Sequence, residues 1–219
     1  MFIAGATGYL GSRLIPELIS RGHRVIALAR SGSQDKIVPG CDLVIGDALN
    51  ADSYKEQVKK ADTFVHLVGV PHPSPAKAPL FRTVDLAALR QSDAAAEFAG
   101  TAHFIYLSVA HPARVMKAYV ASRQEAEQEI RRTSLQATFL RPWYVLGPGH
   151  RWAYALLPFY WLFERLPPTR ESALRLGLIT LPQMIGSLVD AVENPPQEKI
   201  RIVEVPEIRR AGLRPALTS

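Results

Sequence analysis

The stretch that decides the fold is MFIAGATGYLGSRL, Met1 to Leu14, in which a short apolar run precedes three glycines spaced three residues apart. Residues 1–4 read as a strand and residues 10–21 as an amphipathic helix. Between a strand and a helix, the first glycine permits a tight turn, the second lets the backbone approach a pyrophosphate, and the third lets helix and strand pack closely. The helix N-terminus adds N–H groups and partial positive charge. The stretch predicts a dinucleotide-binding turn, with a merely flexible turn as the alternative.

Beyond this turn, short apolar runs alternate with amphipathic stretches. We predict strands at residues 1–4, 24–29, 43–45, 63–68, 103–108, 137–140 and 200–205. The predicted helices are residues 10–21, 51–60, 84–98 and 115–132, with Asp52 as the N-cap of the second and Gly22 at the end of the first. Continuously apolar strands are typical of a parallel sheet that is buried on both faces. The pattern predicts a Rossmann-like, doubly wound α/β fold with helices on both faces of the sheet.

The length of 219 residues suits one compact unit. The hydrophobic fraction of 47% is enough for a buried core, and no disordered segment is indicated. After about Gly147 the sequence becomes rich in aromatic residues and proline. We therefore expect an NAD(P)-binding domain over residues 1–149 and a small C-terminal lobe over residues 150–219, packed over the carboxyl edge of the sheet.

Charge and composition exclude several classes of protein. The formal charge is +6, but the basic residues are scattered, so nucleic acid is not an expected partner. The single cysteine, Cys41, rules out an internal disulfide and fits a small apolar role in a reducing compartment. We expect no signal peptide before the first strand, and residues 152–163 are too short to span a bilayer. We expect a cytoplasmic protein with no transmembrane segment.

The six histidines form no close ligand pair, so no metal site is predicted. His66 and His103 fall within apolar strands and are expected in the core. His72 and His111 follow the fourth and fifth strands, where α/β sheets open their ligand crevice, so these two are candidates for a place near a substrate.

The second strand ends at Arg30, followed by Ser31, about 20 residues beyond the glycines. Folds that prefer NAD place an acidic residue here to bind the ribose 2′-hydroxyl. A guanidinium cannot accept a hydrogen bond, but it can hold a 2′-phosphate with two donors. This favours NADP over NAD, although NAD stays possible and a solvated arginine is the alternative.

Five motifs together resemble the short-chain dehydrogenases/reductases, in particular the atypical or extended branch with NmrA-like and epimerase/dehydratase-like proteins. They cover about the first 150 residues, and they are GATGYLG (residues 5–11), GDALN (46–50), VHLVG (65–69), YVASR (119–123) and RPWYVLGPG (141–149). The resemblance implies that Asp47 and Ala48 touch the adenine and that Gly69 lies along the ribose. A turn residue is the alternative for Asp47. The cofactor-binding residues it implies are Gly5, Thr7, Gly8, Tyr9, Leu10, Gly11, Arg30, Ser31, Asp47, Ala48, Val68 and Gly69, with Pro142, Trp143, Tyr144 and Val145 bordering the nicotinamide.

The family's chemistry uses Tyr-x-x-x-Lys on a helix, which places both side chains on one face. The matching residues are Tyr119, as acid/base, and Arg123, which the resemblance implies holds the nicotinamide ribose. Arg123 keeps the charge but cannot join a relay that needs a neutral intermediate. The family's catalytic Ser or Thr aligns with Val109, so Ser108 is the candidate substitute, with its side chain expected on the other side of the strand. The enzyme therefore either works with an altered Tyr–Arg pair or binds cofactor without turning it over.

The resemblance implies an oxidoreductase, Arg30 favours NADP(H), and the short, aromatic C-terminal lobe favours a small, apolar carbonyl or quinone-like substrate. A non-catalytic NADP(H)-binding redox sensor or assembly protein is the first alternative, and an epimerase or dehydratase is the second. The aromatic segment 152–163 is interpreted as a helix over the sheet, as an apolar lid for a hydrophobic substrate, or as a patch for homodimer or membrane contact.

Overall fold

The computed structural model of the chain describes residues 1–148, 165 and 167–211. The strands in this part of the chain are β1 (Phe2–Ala4), β2 (Ile26–Ala29), β3 (Asp42–Ile45), β4 (Thr63–His66), β5 (His103–Leu107), β6 (Gln136–Arg141), β7 (Tyr144–Leu146), β8 (Leu178–Thr180) and β9 (Ile200–Glu204). Seven of these described strands form one parallel sheet in the order β3-β2-β1-β4-β5-β6-β9. The predicted doubly wound parallel sheet is confirmed, including the late strand beside β6.

The helices lie on both faces of this sheet. They are α1 (Gly11–Ser20), α2 (Lys55–Val58), α3 (Ala78–Leu80), α4 (Ala87–Ala99), α5 (Lys117–Arg132), α6 (Pro167–Arg175), α7 (Leu181–Glu193) and α8 (Val205–Ala211). One core cluster packs α2, α4 and α5 against one face, and the other packs α1, α7 and α8 against the opposite face. None of the helices among the described residues has both the length and the apolar character needed to cross a membrane.

The strand order reverses direction at β1, which lies between β2 and β4. Ala4 and His66, the last residues of β1 and β4, are register partners, and the Leu67 N–H donates to the Ala4 carbonyl at 2.9 Å. The chain leaves both strands at the same carboxyl edge. Ligands of open α/β sheets bind in the crevice at such a reversal.

The helical region before α4 differs from the regular helix that we predicted over residues 84–98. Helix α3 continues into a π-helical stretch, Phe81–Leu86, hereafter the π segment, and then into α4. A π-helical turn has i→i+5 hydrogen bonds and occurs mostly as short stretches, frequently at functional sites. In the π segment, Phe81, Asp85 and Leu86 are buried.

Two other helix starts also differ from the prediction. The cap at residue 52 is wrong, because the Asn50 side chain caps this start and accepts the Asp52 N–H at 3.2 Å. Helix α5 begins at Lys117 rather than at residue 115, since Met116 before it has a positive φ of 53°. At the end of α1, by contrast, Gly22 adopts a φ of 82° as a helix-ending glycine does.

The C-terminal region adds elements that the sequence pattern did not predict. Strands β7 and β8 pair in parallel as a second, two-stranded sheet. Helix α7 begins with a capping box, in which the Thr180 hydroxyl accepts the Gln183 N–H and the Gln183 side chain accepts the Thr180 N–H. The aromatic segment 152–163 and the predicted boundary at residues 149/150 lie outside the described residues, so the two-part division stays a prediction.

Candidate functional site

The turn between β1 and α1 needs glycine at two positions for steric reasons. Gly5 has a φ of +87°, and a Cβ added there would lie 2.7 Å from the carbonyl carbon of Leu67. A Cβ on Gly11 would collide with the Gly5 carbonyl oxygen and lie 2.7 Å from the Ala6 carbonyl oxygen. The Gly8 N–H donates to the Gly5 carbonyl at 3.0 Å and closes the turn. Helix α1 therefore packs against the end of β1 as a dinucleotide-binding turn requires.

The open side of this turn fits a diphosphate. Gly8 is exposed, and the first turn of the described helix α1 carries no acidic residue. The first N–H groups of a helix lack intrahelical acceptors, which makes the start of α1 a natural anion site. Arg13 adds positive charge nearby, since its Nη1 donates to the Tyr9 carbonyl at 2.7 Å and its Cζ lies 4.2 Å from the Tyr9 ring centroid. Thr7 and Leu10, predicted with these residues, are half-buried in the same turn.

Arg30 and Ser31 directly follow β2 at the same edge of the sheet, and both are exposed. The Arg30 carbonyl accepts the Ser33 N–H at 3.0 Å, which fixes the turn after the strand. The placement suits a guanidinium that meets a 2′-phosphate. The preference for NADP nevertheless stays a prediction.

Asp47 and Ala48 follow β3 in a well-defined turn. The Asp47 Oδ1 accepts the Leu49 N–H at 3.0 Å, and its own N–H donates to the Ser53 Oγ at 2.9 Å. Ala48 is half-buried against the core. Asp47 thus has the turn role that we considered as an alternative, and the predicted adenine contact stays a prediction.

The backbone that follows β4 passes close to the buried guanidinium of Arg123. Val68 packs against the core, whereas Gly69 is exposed at the carboxyl edge. A Cβ on Gly69 would lie 2.6 Å from the Arg123 Nη2 and 3.5 Å from the Asp85 Oδ2. Glycine at this position therefore lets the predicted ribose-binding segment lie directly over Arg123.

Tyr119 lies in the first turn of α5 and is half-buried. Its ring packs edge-on against Phe81, with centroids 5.0 Å apart and an interplanar angle of 61°. The Arg123 Cζ lies 5.2 Å from the Tyr119 ring centroid. The predicted spacing therefore brings the phenol and a positive charge together on one face of the helix.

Arg123 uses its donors inside the protein. The residue is 4% exposed, its Nη2 donates to the Asp85 Oδ2 at 2.9 Å, and its Nη1 donates to the Leu107 carbonyl at 3.0 Å and the Tyr106 hydroxyl at 3.2 Å. The Nε is buried without a hydrogen-bond partner among the described residues. We expected this side chain to hold the nicotinamide ribose. The structure directs both Nη groups elsewhere, so that contact stays a prediction that depends on Nε.

Ser108 is also engaged away from Tyr119. It is buried, and its hydroxyl donates to the Glu127 Oε1 at 2.6 Å. The Glu127 carboxylate also accepts two hydrogen bonds from Arg141, one from the Nε at 2.9 Å and one from the Nη2. Arg141 Nη1 in addition donates to the Glu204 Oε1 at 2.9 Å. A catalytic role for Ser108 would require this hydroxyl to leave Glu127. That role stays a prediction, and the geometry gives it no support.

The chain after β6 contacts the glycine turn. Pro142 is buried, and its carbonyl accepts the Ala110 N–H at 2.9 Å. Trp143 and Val145 pack against the core on the α1 side, and Tyr144 packs in the small sheet. A Cβ on Gly147 would collide with the Tyr9 hydroxyl. In the predicted nicotinamide border, Pro142 is thus buried and residues 143–145 are half-buried, and Gly147 just beyond them approaches the dinucleotide-binding turn.

The two histidines predicted in the core are confirmed there. Burial lowers the pKa of His66 to about 3, with a further contribution from Arg123, and burial lowers the pKa of His103 to about 4. His66 Nδ1 lies 2.9 Å from the Ser92 Oγ. Among the described residues, no cluster of three His, Cys, Asp or Glu side chains could hold a metal ion.

The other singled-out side chains lie at the surface or near it. His72 is exposed, and His111 is half-buried with its Nδ1 3.0 Å from the Val109 carbonyl oxygen. Cys41 is half-buried against the core, and burial raises the pKa of its thiol. The packing of Cys41 against the core is compatible with the small apolar role expected for it.

Sequence reasoning missed Asp85, which is central to the geometry around Arg123. Its side chain is 0% exposed, and burial raises its pKa, opposed by Arg123 and by the Val70 N–H. The available signal was an acidic residue inside the apolar pattern TVDLAAL. An acid in such a pattern indicates a buried partner, which the sequence alone did not identify.

The chain is similar in sequence to known proteins. The chain is 27% identical over 217 residues to a ceramide reductase of Caulobacter vibrioides, covering 96% of this chain and 65% of that protein. A shorter stretch of 70 residues is 36% identical to dTDP-6-deoxy-L-talose 4-dehydrogenase (NAD(+)) of Aggregatibacter actinomycetemcomitans, covering 31% of this chain and 26% of that protein. The chain spans less than two thirds of the length of these relatives.

Solved structures share the fold. The crystal structure of gox2253 matches with a TM-score of 0.69 at 21% identity, covering 98% of this chain and 75% of that chain. The UDP-glucose 4-epimerase of Thermus thermophilus, in complex with NAD, matches with a TM-score of 0.65 at 15% identity, covering 96% and 81% of the two chains. The fold is therefore that of the NAD(P)H-binding oxidoreductases and epimerases. The NAD(P)H-binding family model matches residues 5–153, from the first glycine of the turn to beyond β7, and the chain belongs to that NAD(P)H-binding family.

Proposed function

We propose that this chain is an NADP(H)-dependent oxidoreductase that reduces the carbonyl of a small apolar or lipid-like substrate. The observation that carries the proposal is the placement of the Tyr119 ring 5.2 Å from the Arg123 guanidinium carbon. That pair adjoins Gly69 at the carboxyl edge, where the strand order reverses beside the glycine turn. The site thus combines a proton donor with the crevice in which α/β sheets bind nucleotides.

Residues at the carboxyl edge of the sheet bind the cofactor. The glycine turn, residues 5–11, holds the pyrophosphate with backbone N–H groups at the start of α1. Arg30 pairs with the 2′-phosphate through charge-assisted hydrogen bonds, which favours NADP over NAD. Gly69 and the residues 142–145 border the ribose and the nicotinamide. When bound, NADPH supplies the hydride.

Tyr119 supplies the proton. Its hydroxyl would give its proton to the carbonyl oxygen as negative charge develops there, so that the reduced product is an alcohol. Arg123 stabilises the negative charge that develops on the phenol oxygen, because its guanidinium stays protonated and is held away from water. Solvent then returns a proton to the phenol.

Exposed apolar side chains near Tyr119 and a similar protein both indicate the substrate class. Leu80 precedes Phe81, which packs on Tyr119, and Leu80 is 42% exposed. Val115, two residues before α5, is 58% exposed. These apolar side chains adjoin the segments that carry the proposed acid, and a protein 27% identical to this chain is a ceramide reductase. Both observations support a carbonyl attached to apolar chains.

The test is NADPH oxidation with a series of ketones that carry acyl chains of increasing length. Turnover should rise with chain length, and Tyr119→Phe should lower kcat by about 10²- to 10⁴-fold. NADPH affinity, measured by calorimetry, should stay within about twofold of wild type, since the hydroxyl acts only in the reaction. Tyr54→Phe is the matched control, because Tyr54 stacks on Phe2 in the core. Turnover that survives Tyr119→Phe unchanged would remove Tyr119 from this role.

A non-catalytic NADP(H)-binding protein is the second candidate. It is favoured by the internal hydrogen bonds of Ser108 and Arg123, which occupy two groups that the chemistry would otherwise use. This function predicts tight NADPH binding with no oxidation by any ketone in the series. Sustained turnover would exclude it.

A further inference from the structure

Asp85 is a buried acid that connects two parts of the candidate site. Its Oδ1 accepts the Val70 N–H at 2.7 Å, and its Oδ2 accepts the Arg123 Nη2 at 2.9 Å. The side chains of Asp85 and Arg123 are 0% and 5% exposed. One carboxylate thus binds both the segment that follows β4 and the guanidinium on α5.

The guanidinium is fixed from the other side as well. Its Nη1 donates to the Tyr106 hydroxyl at 3.2 Å and to the Leu107 carbonyl at 3.0 Å, both on β5. With three partners on two elements, the planar group has one orientation. In that orientation its carbon lies 5.2 Å from the Tyr119 ring centroid.

The π segment provides the platform for these contacts. The Phe81 ring packs on Tyr119, and the Phe81 carbonyl accepts a hydrogen bond from the Ser122 hydroxyl at 2.7 Å. Asp85, four residues further on, pairs with Arg123. Three side chains of α5 in one stretch therefore contact two residues of the π segment.

A buried ion pair contributes little net stability compared with apolar residues of similar volume, but removal of one partner leaves an uncompensated charge. The pair of Asp85 and Arg123 is therefore better explained by where it holds its two groups than by stability. It holds the guanidinium beside the proposed acid and the peptide of Val70 beside the proposed ribose-binding glycine.

We propose that Asp85 is a positioning residue, which fixes Arg123 and the Gly69–Val70 peptide in one arrangement so that Arg123 acts on Tyr119 through its charge. The proposal rests on the proposed function, in which Tyr119 is the acid. It assigns to the carboxylate no contact with cofactor or substrate. The positions of the Arg123 guanidinium and of the Gly69–Val70 peptide then both depend on the buried Asp85 carboxylate.

The test is a double-mutant cycle with Asp85→Asn, Arg123→Lys and the two combined. Asn keeps an acceptor for the Val70 N–H but presents an amide to Arg123, so Asp85→Asn should lower kcat about tenfold and weaken NADPH binding by a similar factor, with KM for the ketone within about twofold. Arg123→Lys leaves the carboxylate with a shorter partner and should lose as much. In the combined variant the neutral amide has no guanidinium left to position, so its kcat should be no more than about threefold below that of Arg123→Lys alone.

Thr83→Ala is the matched control, because Thr83 lies in the same π segment, is exposed and bonds only to the Pro79 carbonyl among the contacts described for it. It should change none of these quantities. Losses that simply multiply in the combined variant, or an Asp85→Asn protein with wild-type kcat and NADPH affinity, would overturn the proposal. If Asp85→Asn alone does not fold, the comparison of Arg123→Lys with the combined variant decides, and a further tenfold loss of kcat in the combined variant rejects the positioning role.

Calorimetry with NADPH separates this proposal from the proposed function. If wild type reduces none of the ketones, the proposed function fails, but the binding affinities of the four proteins still complete the cycle. Coupling in NADPH affinity would then support the positioning of the Gly69–Val70 peptide. Additive affinities would reject it whether or not the protein is an enzyme.

Discussion

The glycine turn and the surroundings of Arg123 reach the same edge of the sheet by different means. The turn is determined by backbone geometry within seven consecutive residues, through the φ of +87° at Gly5 and the tight contact of Gly11 with residues 5 and 6. The Arg123 region depends on side chains from three elements, and its ion pair joins residues 38 positions apart. A backbone site tolerates changes in its surroundings, whereas a side-chain network depends on every partner.

Among the variants that test this comparison, Gly5→Ala in the glycine turn is expected to have the largest effect. An L residue at a positive φ costs about 1–2 kcal/mol, and a Cβ 2.7 Å from the Leu67 carbonyl carbon adds overpacking of about 1–3 kcal/mol. We expect the free energy of unfolding to fall by about 3 kcal/mol in urea denaturation, and NADPH binding to be lost.

Gly22→Ala is the control for this change. Gly22 has nearly the same φ, +82°, but a Cβ there would meet no described atom within 4 Å. It should lose only about 1 kcal/mol. Equal losses in the two variants would show that backbone strain, rather than packing against the end of β4, determines the requirement for glycine in the turn.

The next effect concerns an exposed side chain at the same edge. Removal of the guanidinium in Arg30→Ala should weaken NADPH binding by about 2 kcal/mol, a factor of roughly thirty, because charge-assisted hydrogen bonds to the 2′-phosphate are lost. NADH binding should stay within about twofold. Arg24→Ala is the control, since Arg24 precedes β2 at the opposite end and pairs with Asp42. Calorimetry in which Arg30→Ala weakens both nucleotides equally would assign Arg30 no part in cofactor choice.

The smallest effect concerns the buried electrostatics near Arg123. His66 has a folded-state pKa of about 3, against about 6.5 in the unfolded chain, so protons bind to the unfolded state first as the pH falls. Its contribution to stability is complete above pH 6.5 and declines as the pH falls from there toward 3. Between pH 6.5 and pH 5.5 we expect it to account for a loss of about 1 kcal/mol.

Urea denaturation at the two pH values, with wild type and His66→Gln, measures this contribution. The variant should lose about 1 kcal/mol less than wild type over the interval. The same measurement with His103→Gln tests a second buried histidine. Its pKa of about 4 is lowered by burial, without a contribution from Arg123. A wild-type slope identical to that of His66→Gln would mean that His66 titrates normally and that the region is less buried than described.

The sequence predicted those features of the fold and site that depend on residues close together in the chain. The strand–glycine–helix pattern and the apolar runs predicted the sheet and its turn, because strand burial and glycine geometry depend on neighbouring residues. The Tyr119–Arg123 spacing likewise placed both side chains on one helical face. Strands β7 and β8 were missed because they pair with each other in a separate small sheet, a contact between distant residues that leaves no local pattern.

The partners of individual side chains could not be predicted in the same way. The contact of Arg123 with Asp85 requires the sheet order and the π segment, neither of which appears as a local pattern. Ser108 illustrates the same point, since its hydroxyl donates to Glu127 on a helix 19 residues away. The start of helix α7, by contrast, could have been predicted from the sequence, because Thr180 and Gln183 have the spacing of a capping box.

The π segment also has a consequence for how such chains diverge. A π-helical turn holds one residue more than an α-helical turn. A related chain shorter by one residue within 81–86 would continue as regular helix, with everything before the deletion rotated by about 100° relative to α4. Phe81 would then leave the face that meets Tyr119 while Asp85 kept its place. Length at this point and the identity of the residues opposite it on α5 are therefore expected to vary together across lineages.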